Sequence, residues 1–177
     1  MAFHFEAEQW VPFPIEQVFR FFANPANLPR IMPPSSGTEL VRLKLVAPPG
    51  VQPVKATVTD EEPLAGSGSE IVTSFRIVPF LPFRLEWIAL IDEFEWNDHF
   101  CDVQKKGPFK SFHHCHRLTA SPRDGTAGTV LRDVIDYDIG FGILGSIAQR
   151  LMIKRQLRQT FEYRQRALVS LLSGRAS

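Results

Sequence analysis

Between residues 38 and 139 the chain is cut by prolines and glycines into short segments that alternate apolar and polar residues, whereas 141 to about 173 holds no proline at all. Alternation is the period of a strand, in which successive side chains point to opposite faces. TELVRLKLV, SEIVTSFRIV, FRLEWIALIDEFEW, DHFCDVQ, SFHHCHRLTA and GTVLRDVIDYDI read as strands. Gly107-Pro108 turns one pair into a hairpin, and SPRDGTAG leads into the last strand. Upstream, FHFEAEQW alternates in the same way. Pro14 suits a first helical turn, and Ile15, Val18, Phe19 and Phe22 then share one helical face. Asn24-Pro25 ends that helix, and ANLPRIMPP allows only a second short one. The patches at 47–53 and 63–68 read as loops. The proline-free stretch reads as one long helix. Its apolar stripe is Leu144, Ile147, Leu151, Leu157, Phe161, Leu168 and Leu171, and Arg150, Lys154, Arg155, Arg158, Arg164 and Arg166 dominate the remainder. Strand, two short helices, about six antiparallel strands and a long helix make an α+β pattern, best solved by wrapping a curved sheet around the long helix. Such a wrap closes imperfectly and leaves a cavity.

A length of 177 residues suits a single domain over residues 1–177. The net charge of +1 gives no reason to expect nucleic acid as a partner. No stretch reaches the length of apolar residues that a membrane span requires, so stable membrane insertion is not expected. The opening MAFHFEAEQW lacks the basic and apolar regions of a signal peptide, which points to a cytoplasmic protein. There the two cysteines are expected as free, structural thiols. Fifteen phenylalanines suit a core, and equally the lining of a pocket for apolar ligands. No phosphate loop, CxxC or G-x-S-x-G occurs, and nothing calls for a cofactor.

WVPFPIEQVFRFF, NLPRIMPP, FCDVQKKGPFKSFHHCHRL and GTVLRDVIDY together resemble the START-like or SRPBCC superfamily, also called pollen-allergen-like or polyketide cyclase/dehydrase-like, and within it a bacterial ligand-binding subgroup. The subgroup pattern F-x-D-x-Q, G-P-F/Y, aromatic, H-x-H and D-x-x-x-Y is met by Phe100, Asp102 and Gln104, by Gly107, Pro108 and Phe109, by Phe112, His114 and His116, and by Asp133 and Tyr137. Phe112 departs from an expected Trp, and His113 from an apolar residue. The resemblance implies a helix-grip fold of six to seven strands. It also implies a cavity for an apolar or amphipathic ligand such as a lipid, polyketide or quinone. It implies no single reaction, because the superfamily mixes carriers, sensors and cyclases.

Four of the five histidines fall between His99 and His116. Strand parity puts Phe112, His114 and His116 on one face and His113, Cys115 and Arg117 on the other. A hairpin centred on Pro108 sets Asp102 opposite His114, Phe100 opposite His116, Gln104 opposite Phe112 and Cys101 opposite Cys115. The inward polar set is then Asp102, Gln104, His114, His116, Asp133 and Tyr137, with Asp102 within hydrogen-bonding reach of His114. With Phe100, Phe112 and Trp87 these are the expected ligand-binding residues. Three readings of the set stay open. It is first a structural polar seam. It is second an acid–base site using His114 or His116 with Asp102 or Asp133. Last comes a metal site on the same two histidines and one carboxylate, for which H-x-H on a strand is a weak signal. The leading functional expectation is a binding protein without catalysis, and the alternative is an aromatase/cyclase- or dehydratase-like enzyme. A third is a regulatory partner making weak protein or membrane-surface contact through the basic helix and the 79–84 loop.

Overall fold

The computed structural model describes residues 2–51, 63–76, 83–140 and 152–174. The elements are β1 (Ala2–Val11), α1 (Ile15–Ala23), α2 (Leu28–Ile31), β2 (Glu39–Lys44), β3 (Glu70–Phe75), β4 (Leu85–Glu95), β5 (His99–Lys106), β6 (Ser111–Ala120), β7 (Thr129–Asp138) and α3 (Lys154–Leu172). The strands form one seven-stranded antiparallel sheet in the order β1-β7-β6-β5-β4-β3-β2. The α+β helix-grip arrangement expected from the order of elements is the one observed. β1 and β2 follow one another in sequence but lie at opposite edges, and α1 and α2 make the connection.

Parity holds most clearly on β7, where Leu131, Asp133, Ile135 and Tyr137 are buried while Arg132 and Asp136 are exposed. On α1, Val18, Phe19 and Ala23 are buried, and Pro14 is its N-cap. Asn24 stops α1 in extended backbone, and its side-chain oxygen accepts from the Ala26 N–H at 3.0 Å. On α3 Phe161 and Leu168 are buried and Leu157 is half-buried. Leu144, Ile147, Arg150 and Leu151 lie outside the described residues, as does most of the 79–84 loop. No helix among the described residues is long and apolar enough to cross a membrane.

β4 is irregular. Its pairing with β5 shifts between Ile88 and Ala89 and again between Ile91 and Glu93. Each extra residue bends the strand and raises its twist, which helps the sheet curl over α3. Two apolar clusters close the ends of the curl. One gathers Val11, Val18, Phe19, Leu118, Leu131 and Leu168, and the other Ile135, Tyr137 and Phe161.

Leu168 is 1% exposed and joins α3 to α1 and the sheet. Leu168→Ala is therefore expected to destabilise the protein by about 2–5 kcal/mol, read from urea unfolding followed by circular dichroism. A loss within the ~0.5 kcal/mol scatter of surface substitutions would misplace the helix.

Candidate functional site

The sheet, α1, α2 and α3 enclose a cavity of about 440 Å³, a volume typical of small-molecule sites. Its wall is largely apolar and rich in aromatic rings, with Phe22 from α1, Trp87 from β4, Phe100 from β5, Phe112 from β6 and Phe161 from α3. Trp87 meets Phe112 edge-on at 4.7 Å. His116 is packed between Phe100 at 4.5 Å and Phe22 at 5.1 Å.

The polar side chains form a compact group within this wall. Asp133 pairs with His116 across the β6–β7 ladder. Its Oδ1 accepts a hydrogen bond from His114 Nε2 at 3.0 Å. The same oxygen stands 2.6 Å from His116 Nδ1 but off the line of a hydrogen bond, leaving that buried nitrogen without an aligned partner. The two imidazoles are 4.1 Å apart between centroids. Burial would push the Asp133 carboxyl up, but the His116 and His114 rings and Arg164 outweigh it and hold the group well below the usual carboxylate range. Burial pushes both imidazoles down against the pull of Asp133, which favours the neutral form of each. A carboxylate can only accept, so the His114 proton sits on Nε2 and its Nδ1 is left as an acceptor. Asp102 Oδ2 lies 3.7 Å from that Nδ1, and burial pushes the Asp102 carboxyl up.

The β5–β6 register sets Asp102 opposite His114, Phe100 opposite His116 and Cys101 opposite Cys115, the alignment read from the hairpin. Phe100, Asp102, Phe112, His114, His116 and Trp87 line the cavity. Other details differ from expectation. The histidine partner is Asp133, not Asp102, whose 3.7 Å approach is an electrostatic contact only. Asp133 is buried behind the two rings rather than on the cavity surface, because the β6–β7 register places it beside His116. Gln104 stays in β5, paired with Ala89 of β4, but its side chain clasps the turn instead of lining the cavity, donating to the Phe109 carbonyl at 2.7 Å and accepting from the Phe109 N–H at 3.2 Å. Tyr137 packs into the apolar cluster with Ile135 and Phe161. Cys101 and Cys115 are joined in a disulfide instead of standing as free thiols. Ligand atoms of Asp102, His114 and His116 do come within 4.8 Å of one another, but the ring nitrogens nearest Asp133 are turned to that carboxylate.

Arg164 is the residue sequence reasoning missed. It belongs to the cavity wall, with its Cζ 4.7 Å above the Phe161 ring. The signal was present: Arg164 stands three residues after Phe161 and four before Leu168, on the apolar stripe itself. Lys154, Arg155, Arg158 and Arg166 are exposed, as expected of a solvated face.

Residues 11–166 match the family described as polyketide cyclase / dehydrase and lipid transport. The chain belongs to that family. Among curated proteins no sequence matches significantly. Solved structures similar to it include a protein of Thermus thermophilus, at 15% identity and a TM-score of 0.61, with 98% of this chain and 99% of that one covered. Ara h 8.0201 is similar at 12% identity and a TM-score of 0.62, with 98% and 99% covered. Norcoclaurine synthase from Thalictrum flavum is similar at 12% identity and a TM-score of 0.62, with 97% and 94% covered. At such identities these are likenesses of fold, shared by an enzyme and by proteins whose names state no reaction.

The neutral imidazoles make stability depend on acidity. Below the ordinary histidine pKa of about 6.5, the unfolded chain takes up protons that the buried rings resist, so unfolding free energy falls with pH. The slope is at most about 1.4 kcal/mol per pH unit for each ring. Asp133 is ionised in both states through this window, and its contribution is lost only in stronger acid. Asp102, pushed up by burial, takes its proton at a higher pH in the folded state than in the unfolded one, an effect of opposite sign to that of the rings. Urea unfolding at about pH 7.5 and 5.5 should show the loss; a flat profile would mean that folding leaves the ring pKa values unchanged, and a gain in stability at about pH 5.5 that the folded rings are charged. At neutral pH Asp133→Ala should cost about 1–3 kcal/mol, more than Asp102→Asn.

Proposed function

We propose that the protein binds an amphipathic small molecule, with its apolar body in the cavity and an anionic group of the carboxylate class at Arg164. The observation that carries this reading is the Arg164 guanidinium in an otherwise largely apolar wall. Among the described residues it stacks on the Phe161 ring and has no carboxylate within ion-pair distance, Asp133 and Asp102 acting on it only from farther off. A guanidinium without a paired anion in such surroundings costs free energy that a ligand carboxylate recovers through a two-pronged contact. Burial holds this guanidinium below its ordinary pKa, opposed by the Asp133 and Asp102 carboxylates. The aromatic rings then supply the apolar contact area.

A fluorescent polyene fatty acid and its methyl ester provide the test, titrated into purified protein. The acid is expected to bind more tightly by roughly ten-fold or more, from the ~1.5–3 kcal/mol of a charge-assisted hydrogen bond. Arg164→Met should remove that difference while leaving the ester unaffected. Equal binding of acid and ester by the unaltered protein would remove the carboxylate, and binding of neither would remove the carrier reading.

One observation favours a second reading, a cyclase- or dehydratase-like enzyme. Asp102 faces the cavity with its carboxyl pushed up, beside an unprotonated nitrogen of His114. Such a pair can give and take a proton, the acid raised and the base lowered toward one another. Asp133 would then act as the positioning residue that fixes the His114 tautomer. In that case Asp102→Asn removes turnover of a bound polyketide-like substrate and leaves its affinity intact. If it changes only affinity, the protein is a carrier.

A further inference from the structure

The opposite face of the β5–β6 hairpin carries a second chemical cluster, which the cavity does not use. Cys101 and Cys115 oppose one another in the ladder, Glu93 pairs with Cys101 from β4, and His113 is on the same face as Cys115. Glu93 Oε2 lies 3.7 Å from Cys101 Sγ, and His113 Nε2 lies 3.6 Å from Cys115 Sγ. The ligand atoms of Cys101, His113 and Cys115 all lie within 4.8 Å of one another.

The presence of Glu93 here is built into the strand. Ile91 pairs with Asp102, which lines the cavity, and Glu93 pairs with Cys101 on the outer face. An unbroken ladder would carry Asp92 opposite Cys101 and turn Glu93 inward. The register shift between Ile91 and Glu93 takes up one residue and delivers both carboxylates outward. Asp92 Oδ2 then stands 4.0 Å from His113 Nε2. Glu93 Oε2 is also 3.3 Å from His99 Nε2, so it has a second partner from which a cation would have to draw it.

We propose that, with the disulfide reduced, Cys101, Cys115 and His113 form a zinc site whose fourth ligand is the Glu93 carboxylate. Two thiolates, an imidazole and a carboxylate are a ligand set that zinc accepts in tetrahedral geometry. The strand ladder holds all four backbones in place whether or not the sulfurs are bonded, so side-chain rotation supplies what adjustment the metal needs. The cysteines themselves are at most 5% exposed. The side chains of His113 and Glu93 are 39% and 54% exposed and give the ion a path from solvent. The disulfide and the metal are then exclusive states of one cysteine pair. A dithiol reductant donates two electrons and two protons to the S–S bond, becoming a cyclic disulfide and leaving two protein thiols. Zinc displaces both thiol protons to solvent as it binds.

The test uses the full chain in two forms, oxidised and reduced with a dithiol under anaerobic conditions and then desalted. Thiol titration and circular dichroism confirm reduction and retained fold. Cobalt(II) serves as spectroscopic probe and zinc as competitor. The reduced protein should bind one equivalent of cobalt, with thiolate-to-metal charge-transfer and tetrahedral ligand-field bands that zinc abolishes. The oxidised protein should show neither. His113→Ala should weaken binding by roughly ten-fold or more, the loss that even an outer-shell partner causes, and Glu93→Gln should shift the ligand-field bands while leaving the charge transfer. Equal metal binding by oxidised protein would move the site to the histidines of the cavity and overturn the proposal. So would reduced, folded protein without charge-transfer bands, or a His113→Ala variant of unchanged affinity.

Discussion

The antiparallel register across β5, β6 and β7 is the constraint on which the rest depends. It aligns Phe100, His116 and Asp133 in one row and sets Asp102 beside His114 and His114 beside Ile135 in the next. Because a strand's side chains alternate, a slip of one residue would send the histidines outward and bring Cys115 and Arg117 into the cavity. The buried carboxylate of Asp133 guards against that slip. It is satisfied only where His114 and His116 can reach it, and a buried charge without partners is far more costly than a misplaced apolar side chain.

One row of residues thus serves packing and chemistry together. The rings of His114 and His116 pack among Phe22, Phe100 and Phe161, as aromatic side chains would, tilted against Phe22 and Phe100 and edge-on to Phe161, while burial lowers their pKa values and Asp133 orients them against that effect. The cavity therefore stays largely apolar on its sheet side and receives its positive charge from Arg164 on α3. A molecule with one charged end meets an asymmetric room, which favours one orientation on entry.

Most of this was legible in the sequence wherever a single period governed. Strand parity placed His114, His116, Asp102 and Phe100 inward and set Cys101 against Cys115, because each side chain's face follows from counting along one strand. What required two strands at once was less accessible. Asp133 became the histidine partner through the β6–β7 register, which the 121–128 connection sets and which no motif encodes. The Gln104 side chain was drawn to the tight turn at Gly107, where its amide sits against the backbone. Arg164 was hidden by habit rather than by physics, since an arginine on an apolar stripe reads as noise until a cavity lies beneath it. The bond between the cysteines is chemistry, and spacing alone did not carry it.

The edge placement of β1 has a consequence in time. Phe3 pairs with Tyr137 and Trp10 with Val130, so the first strand waits for nearly the last before it has a neighbour. During synthesis the β1 edge is a row of unpaired amides and phenylalanines for as long as the ribosome takes to deliver β7. Closing so large a loop is slow, and a half-made sheet with an open apolar edge is a surface to which other chains adhere. Glu6 and Glu8 stand on the solvent side of that strand, charges of the kind that discourage edge-to-edge pairing, and in the finished sheet Arg132 takes the Glu6 carboxylate.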